Sequence, residues 1–421
     1  MKILFQSATI FDRSSAHHLQ QRDVLVEENI IVKIGDKIAT DQVDQVITSN
    51  HLCISQGWVD MNATVEEPGH EYRETYQSIS KAAAAGGFTH LGLMPNTQPT
   101  VQNSAMIEMI AKNSALSACV FIPYGAMTNQ CEGKELAELY DMHFAGAKAF
   151  TDGNSAPYST NVLKRAMLYV KAFDGLIILD PYDQSLADGG LMHEGITSVK
   201  LGMKGIPAIA EELGVVKAIY LSKYTNTRIH LINISSAGSV ELIREAKAKG
   251  VQITCSCNAY NLILNDEKLI DYDSNLKVLP PLRSNADIAA LVKKVIDGTI
   301  DTICSAHTPI DEEGKNLEFD LASNGMIGLQ TVFPILSEVS NSKTLAHFID
   351  AISNRPRAIL NQALPTIAEG SKACITAFDP GKQFTFTPTV NFSKSKNSPF
   401  FNQQFKGSVI GTFFNHQNKS L

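Results

Sequence analysis

No stretch of this 421-residue chain is apolar for long enough to cross a bilayer. Its opening, Met1-Lys2-Ile3-Leu4-Phe5, lacks the long apolar core that a signal peptide needs. No glycine-rich phosphate loop of the P-loop type occurs, and no basic run interleaves with aromatics. The seven cysteines (Cys53, Cys119, Cys131, Cys255, Cys257, Cys304, Cys374) are odd in number and include no C-x-x-C pair. Several lie inside apolar runs, which suits buried free thiols in a reducing cytosol. There is no internal repeat and no low-complexity segment. Nucleic-acid binding and a membrane location are therefore not expected, and the chain is expected to be cytoplasmic.

What remains is an ordinary globular composition. Hydrophobic residues make up 44% and charged residues 19%. The 36 basic and 43 acidic residues leave a formal charge of −7, enough for solubility and of the wrong sign for nucleic acid. The length suits one large domain and a smaller one.

Residues 1–56 read as short strands, with Lys2–Phe5, Asp23–Val26 and Ile30–Ile34 rich in β-formers. From Gly57 to about Leu360, short apolar runs alternate with helical patterns. Eight candidate strands can be counted: Gly57–Met61, Thr89–Met94, Cys119–Tyr124, Ala147–Phe150, Gly175–Leu179, Arg228–Ile234, Gln252–Ser256 and Thr302–Ser305. Between them, Tyr76–Ala85 ends at Gly86-Gly87, and Ser239–Lys249 follows a cap at Ser236 or Ser239. This rhythm predicts a (β/α)₈ TIM-type barrel over residues 57–364. Strand-like sequence returns over residues 365–421. Paired with residues 1–56, it would make a small β-sandwich domain from both termini, with a polar tail frayed after about His416.

Several long motifs carry a resemblance. They are Gly57-Trp58-Val59-Asp60-Met61 with Glu67-Pro68-Gly69, Met94-Pro95-Asn96-Thr97-Gln98-Pro99, Leu201-Gly202-Met203-Lys204-Gly205-Ile206-Pro207, Pro280-Pro281-Leu282-Arg283 and Ser393-Lys394-Ser395-Lys396-Asn397-Ser398-Pro399-Phe400. In these the chain resembles the dihydroorotases of the amidohydrolase superfamily, nearly end to end. The resemblance implies an amidohydrolase-like barrel and a role in pyrimidine biosynthesis. There, one or two zinc ions hydrolyse a cyclic amide, with the ligands at the C-terminal ends of the strands.

Seat by seat, the residues that such a centre needs are different here. The first-strand H-x-H pair is replaced by Asn62 and Thr64, and the arginine that grips a substrate carboxylate is replaced by Glu66. Asp152 stands where the family has a metal-bridging carboxylate, but Thr151-Asp152-Gly153 also suits an aspartate that bonds nearby amides. Asp180 and Asn233 stand in the histidine seats of the fifth and sixth strands. Ala306 replaces the ligand and proton-shuttling aspartate of the eighth, with His307 beside it. Leu279 replaces a substrate-binding asparagine, and Tyr260-Asn261 a histidine pair. Asn96 and Arg283 survive. Asn96 either contacts substrate, as in active relatives, or caps its own turn.

No zinc is expected, because affinity follows ligand type and count. The resemblance extends to non-catalytic members that hold together or regulate aspartate transcarbamoylase. It thus implies a scaffold or regulator, in a homodimer or a hetero-complex. Two other readings stay open: a cyclic-amide hydrolase rebuilt around Asp152, Asp180 and His307, and a barrel that binds a metabolite without chemistry.

Overall fold

The computed structural model describes the chain except for residues 42, 154–158, 415, 416 and 421; for residues 417–420 it describes the backbone. The chain enters through five strands: β1 (Lys2–Phe11), β2 (Gln21–Glu27), β3 (Ile30–Gly35), β4 (Gln45–Ile47) and β5 (Cys53–Gln56). It continues into β6 (Trp58–Ala63), β7 (Phe88–Leu93), β8 (Val120–Ala126), β9 (Ala149–Thr151) and β10 (Ile177–Leu179). A short parallel pair, β11 (Met192–His193) and β12 (Gly205–Ile206), interrupts the series. Then come β13 (Ile229–Leu231), β14 (Ile253–Asn258) and β15 (Thr302–Cys304), and finally β16 (Cys374–Thr385), β17 (Gln404–Phe414) and β18 (Gln417–Ser420).

The eight strands expected from the alternating rhythm are all present and pair in parallel, in the order β6-β7-β8-β9-β10-β13-β14-β15. The last and first strands meet through a bridge between His307 and Ala63 and the bond from Thr64 N to His307 O, 2.9 Å. Asp60 reinforces this seam. Its fully buried carboxylate accepts from the Ser305 amide at 3.0 Å and from the Ser305 hydroxyl. Apolar side chains such as Val59, Met61, Ile122, Ile178, Ile232 and Cys304 fill the barrel.

The helix Tyr76–Ala85 begins on a Thr75 cap whose hydroxyl accepts from the Ser78 amide, and stops at Gly86. Gly87 follows with φ 89°. A Cβ there would lie 2.4 Å from the Trp58 ring, so both its backbone and its packing call for glycine. The helix Ala237–Ala248 is capped by Ser236, the first of the two serines considered.

Both chain ends share one sheet, ordered β18-β17-β16-β5-β1-β2-β3, with β4 against β1. The sheet curls until β3 meets the residues just before β16, where Ile31 N donates to Ser371 O at 2.9 Å. It thereby encloses its own core, including Ile3, Phe5, Val24, Ile54, Ile375 and Phe413. The tail expected to fray after His416 lies partly outside the described residues, and the backbone of Gln417–Ser420 pairs with β17. Trp58 packs on Phe333 and on Phe378 of β16, joining barrel to sheet. All seven cysteines are free, and all but Cys374 are buried. Among the described residues no helix is long and apolar enough to cross a membrane.

Candidate functional site

A cavity of about 230 Å³ opens at the C-terminal ends of the barrel strands. Asn62, Thr64, Glu66, Asn96, Asn233, Leu279 and Ala306 all line it, together with Tyr260, Thr308 and Asn324. Seven positions singled out on four strand ends and two loops thus converge on one space. In β6 the inward side chains are Val59 and Met61, and a register shift between Asp60 and Ala63 then turns Asn62 and Thr64 to the mouth. Such an irregularity re-aims side chains next to sites.

Three positions that the resemblance puts in ligand seats bond to each other. The Asn62 Nδ2 donates to Asn233 Oδ1 at 2.9 Å, and Asn233 Nδ2 donates to Asp180 Oδ2 at 3.0 Å. Amide and carboxylate therefore satisfy one another where imidazoles would face an ion. Asn233 and Ala306 both adopt left-handed backbone, φ 61° and 47°. Asparagine tolerates that region; for alanine it costs about 1–2 kcal/mol.

Asp180 is half-buried, and the loss of water around its carboxyl pushes it up to about 7. The bond from Asn233 opposes the shift and nearby Glu211 adds to it. Burial likewise pushes Glu66 up to about 7, with Arg73 opposing and Glu74 and Asp311 adding. Burial also pushes Asp60 up to about 6 against the bonds from Ser305.

Asp152 and His307 serve neighbouring structure. The Asp152 carboxylate reaches to the Thr128 amide, 2.8 Å, and hydroxyl, 2.7 Å, in the loop after β8. The local turn bond comes instead from Thr151, whose Oγ1 accepts from Gly153 N at 2.9 Å. His307 is buried outside the cavity lining. Its Nδ1 faces the Gly328 amide at 3.3 Å and its Nε2 lies 3.1 Å from Glu74 Oε2. A neutral ring protonated on Nε2 fits both contacts. Burial pushes Glu74 up, but bonds from His307, Ser393 and Ser78 hold it below the usual range. The set Asp152, Asp180 and His307 is therefore spread over three separate bonding groups.

Asn96 lines the cavity and its Nδ2 bonds across to the Asp152 carbonyl at 3.0 Å. Arg283 is part of a buried frame. Its Nε donates to Ser235 Oγ at 3.0 Å, its Nη2 lies 3.5 Å from Glu211, and Glu211 accepts from the Ser235 and Ser236 amides at 3.0 Å. Residue-type reasoning passed over Thr308, Asn324, Glu74 and Asp60. Asp60 did carry a signal, a carboxylate inside an apolar strand, which requires a buried donor.

A dihydro-orotase-like family profile matches residues 52–239. The dihydroorotase of Pelobacter propionicus is 35% identical over 98% of this chain and 98% of its own length. The chain belongs to the dihydroorotase family. The dihydroorotase of Pelotomaculum thermopropionicum is 38% identical over 97% of this chain and 96% of that protein. Among solved structures, the L-hydantoinase (dihydropyrimidinase) from Arthrobacter aurescens superposes with a TM-score of 0.85 at 20% identity, covering 100% of this chain and 97% of that one. The fold of this dihydroorotase-family chain is thus the barrel-plus-sheet of the hydantoinases. Its donor set is another matter: among the described residues no three His, Cys, Asp or Glu side chains come together as a metal would require.

Proposed function

We propose that this chain is a non-catalytic member of the dihydroorotase family, which lacks zinc and serves pyrimidine biosynthesis as a scaffold or regulator of aspartate transcarbamoylase. The observation that carries the first half is the direct Asn62–Asn233–Asp180 chain of bonds. Zinc takes its nitrogen and oxygen ligands at about 2.0–2.2 Å in tetrahedral array. Asn62 and Asn233 are closed on each other at 2.9 Å, Thr64 offers a hydroxyl, and Ala306 a methyl. The residues present do not fit the ion. Without it, nothing in the cavity polarises an amide carbonyl or activates a water in the family's manner.

What remains intact is compatible with the second half. The seam at Asp60, the frame at Glu211–Arg283 and the loop held by Glu74 are all complete, so the fold is maintained without the chemistry. The regulatory role and the named partner rest on the family resemblance.

The rebuilt-hydrolase reading has one observation in its favour, namely that Glu66 and Asp180 both titrate near 7, where acid–base groups work. One preparation tests the two readings together. Protein purified from zinc-supplemented cells is assayed for bound metal and for dihydroorotate turnover, then mixed with aspartate transcarbamoylase and run on a sizing column. Sub-stoichiometric zinc, no turnover and co-elution are expected. Stoichiometric zinc with turnover would overturn the proposal.

A further inference from the structure

The charge of the cavity is reversed relative to an acid-binding pocket. Glu66 stands at the place where the family resemblance puts an arginine for a substrate carboxylate. The residue is only 8% exposed and lines the cavity, yet its carboxyl group has no hydrogen-bond partner among the described residues. The neighbouring cation, Arg73, is held by Asp311, Nε to Oδ1 2.6 Å. Glu74 is saturated by His307, Ser393 and Ser78. Its carboxyl oxygens keep access to the cavity, where a donor can reach them.

The rest of the lining is suited to a small polar guest. Asn96 and Asn324 contribute amides, Thr64 and Thr308 hydroxyls, and Leu279 and Met326 apolar walls. We propose that this cavity binds a small cation, a compound of one ring's size that carries a protonated amidine, guanidine or amine, with Glu66 as its counter-ion. An amidine would meet the carboxylate through two parallel charge-assisted bonds. The inference does not depend on the loss of catalysis, since it is read by binding alone.

Burial already holds Glu66 at about 7, with Arg73 opposing and Glu74 and Asp311 adding. A cationic guest therefore competes with a proton below that pH, and its affinity should fall as pH drops from 8 to 5.

Three probes of matched ring size separate the charge states: 2-iminopiperidine as the cation, δ-valerolactam as the neutral form and cyclohexanecarboxylate as the anion. Calorimetric titration of the purified full chain at pH 8 should favour the cation over the lactam by at least about tenfold, the worth of a hydrogen bond to a charged group. The anion should be weakest. Below pH 7 the preference should shrink by up to about tenfold per unit. Glu66→Gln, nearly isosteric and relieved of a buried charge, should abolish both the preference and its pH dependence. Glu66→Arg should turn the preference toward the anion. Absence of binding by the cation, equal binding of all three probes, or an unchanged preference in folded Glu66→Gln protein would each overturn the proposal. The zinc and turnover measurements leave these outcomes untouched, so failure of one reading is distinguishable from failure of the other.

Discussion

Replacing Asp180 with asparagine should stabilise this protein progressively as the pH rises. Asp180 is half-buried, and desolvation pushes its carboxyl up to about 7 from 3.8. Its folded-state value is raised, so the carboxyl is neutral in both states below about pH 4 and imposes no penalty there. As the pH climbs through 4 toward 7, the unfolded chain ionises freely while the folded chain resists, and stability falls until it levels off above 7. At 1.36 kcal/mol per unit, the penalty is about 1.6 kcal/mol at pH 5 and about 4 kcal/mol at pH 8. Asparagine removes it. Its Oδ1 can still accept from Asn233 Nδ2, now 3.0 Å from the carboxylate. Its own amide hydrogens are left in a partly enclosed place, which subtracts an amount that does not vary with pH. The pH-dependent part of the difference between variant and parent is therefore about 2.5 kcal/mol between pH 5 and pH 8. For 421 residues at about 2.1 cal/mol/K each, the unfolding entropy is near 0.9 kcal/mol/K. The melting temperature of Asp180→Asn relative to the parent should thus rise by about 3 °C from pH 5 to pH 8. Scanning calorimetry at half-unit intervals reads it directly. A difference that stays flat, or that falls with pH, would refute the desolvated-carboxyl argument.

Glu211→Ala should cost about 3–5 kcal/mol, because it strands the buried Arg283 guanidinium, and would show as a drop in melting temperature or in soluble yield. Gly87→Ala should block folding, since the new Cβ meets the Trp58 ring in a left-handed backbone; the soluble fraction after expression measures this. His307→Ala should destabilise by about 2 kcal/mol through lost bonds to Glu74 and Gly328, while leaving probe binding in the cavity as in the parent, checked by melts and titration side by side. Asn62→His alone should bind no zinc, whereas restoring Asn62→His, Thr64→His, Asp180→His, Asn233→His and Ala306→Asp together should give a measurable zinc content by plasma mass spectrometry.

The barrel was legible because each strand is a short apolar run and a helix such as Tyr76–Ala85 carries its own stop, at Gly86-Gly87. The cavity lining was legible through seat-by-seat correspondence, which sees side-chain type but not direction. Direction failed to show at Asp152, where a three-residue strand gives way to a loop and alternation no longer fixes where the carboxylate goes. The bond that links Asp180 to Asn233 was equally hidden, since a left-handed residue breaks the strand's phase there. Partners such as Asp60 and Ser305, or Glu74 and Ser393, lie hundreds of positions apart. Only closure of the barrel brings them together, and no local pattern records it.

The left-handed turn at Ala306 has a consequence for how such proteins are recognised. A search keyed to atoms able to donate electron pairs would reject this strand end, whose left-handed residue presents only a methyl. Because the strain sits in φ, no side-chain rotation relieves it, and only a flip of the peptide itself would erase the shape. That makes this barrel a ready scaffold for installing new side chains without rebuilding its main chain.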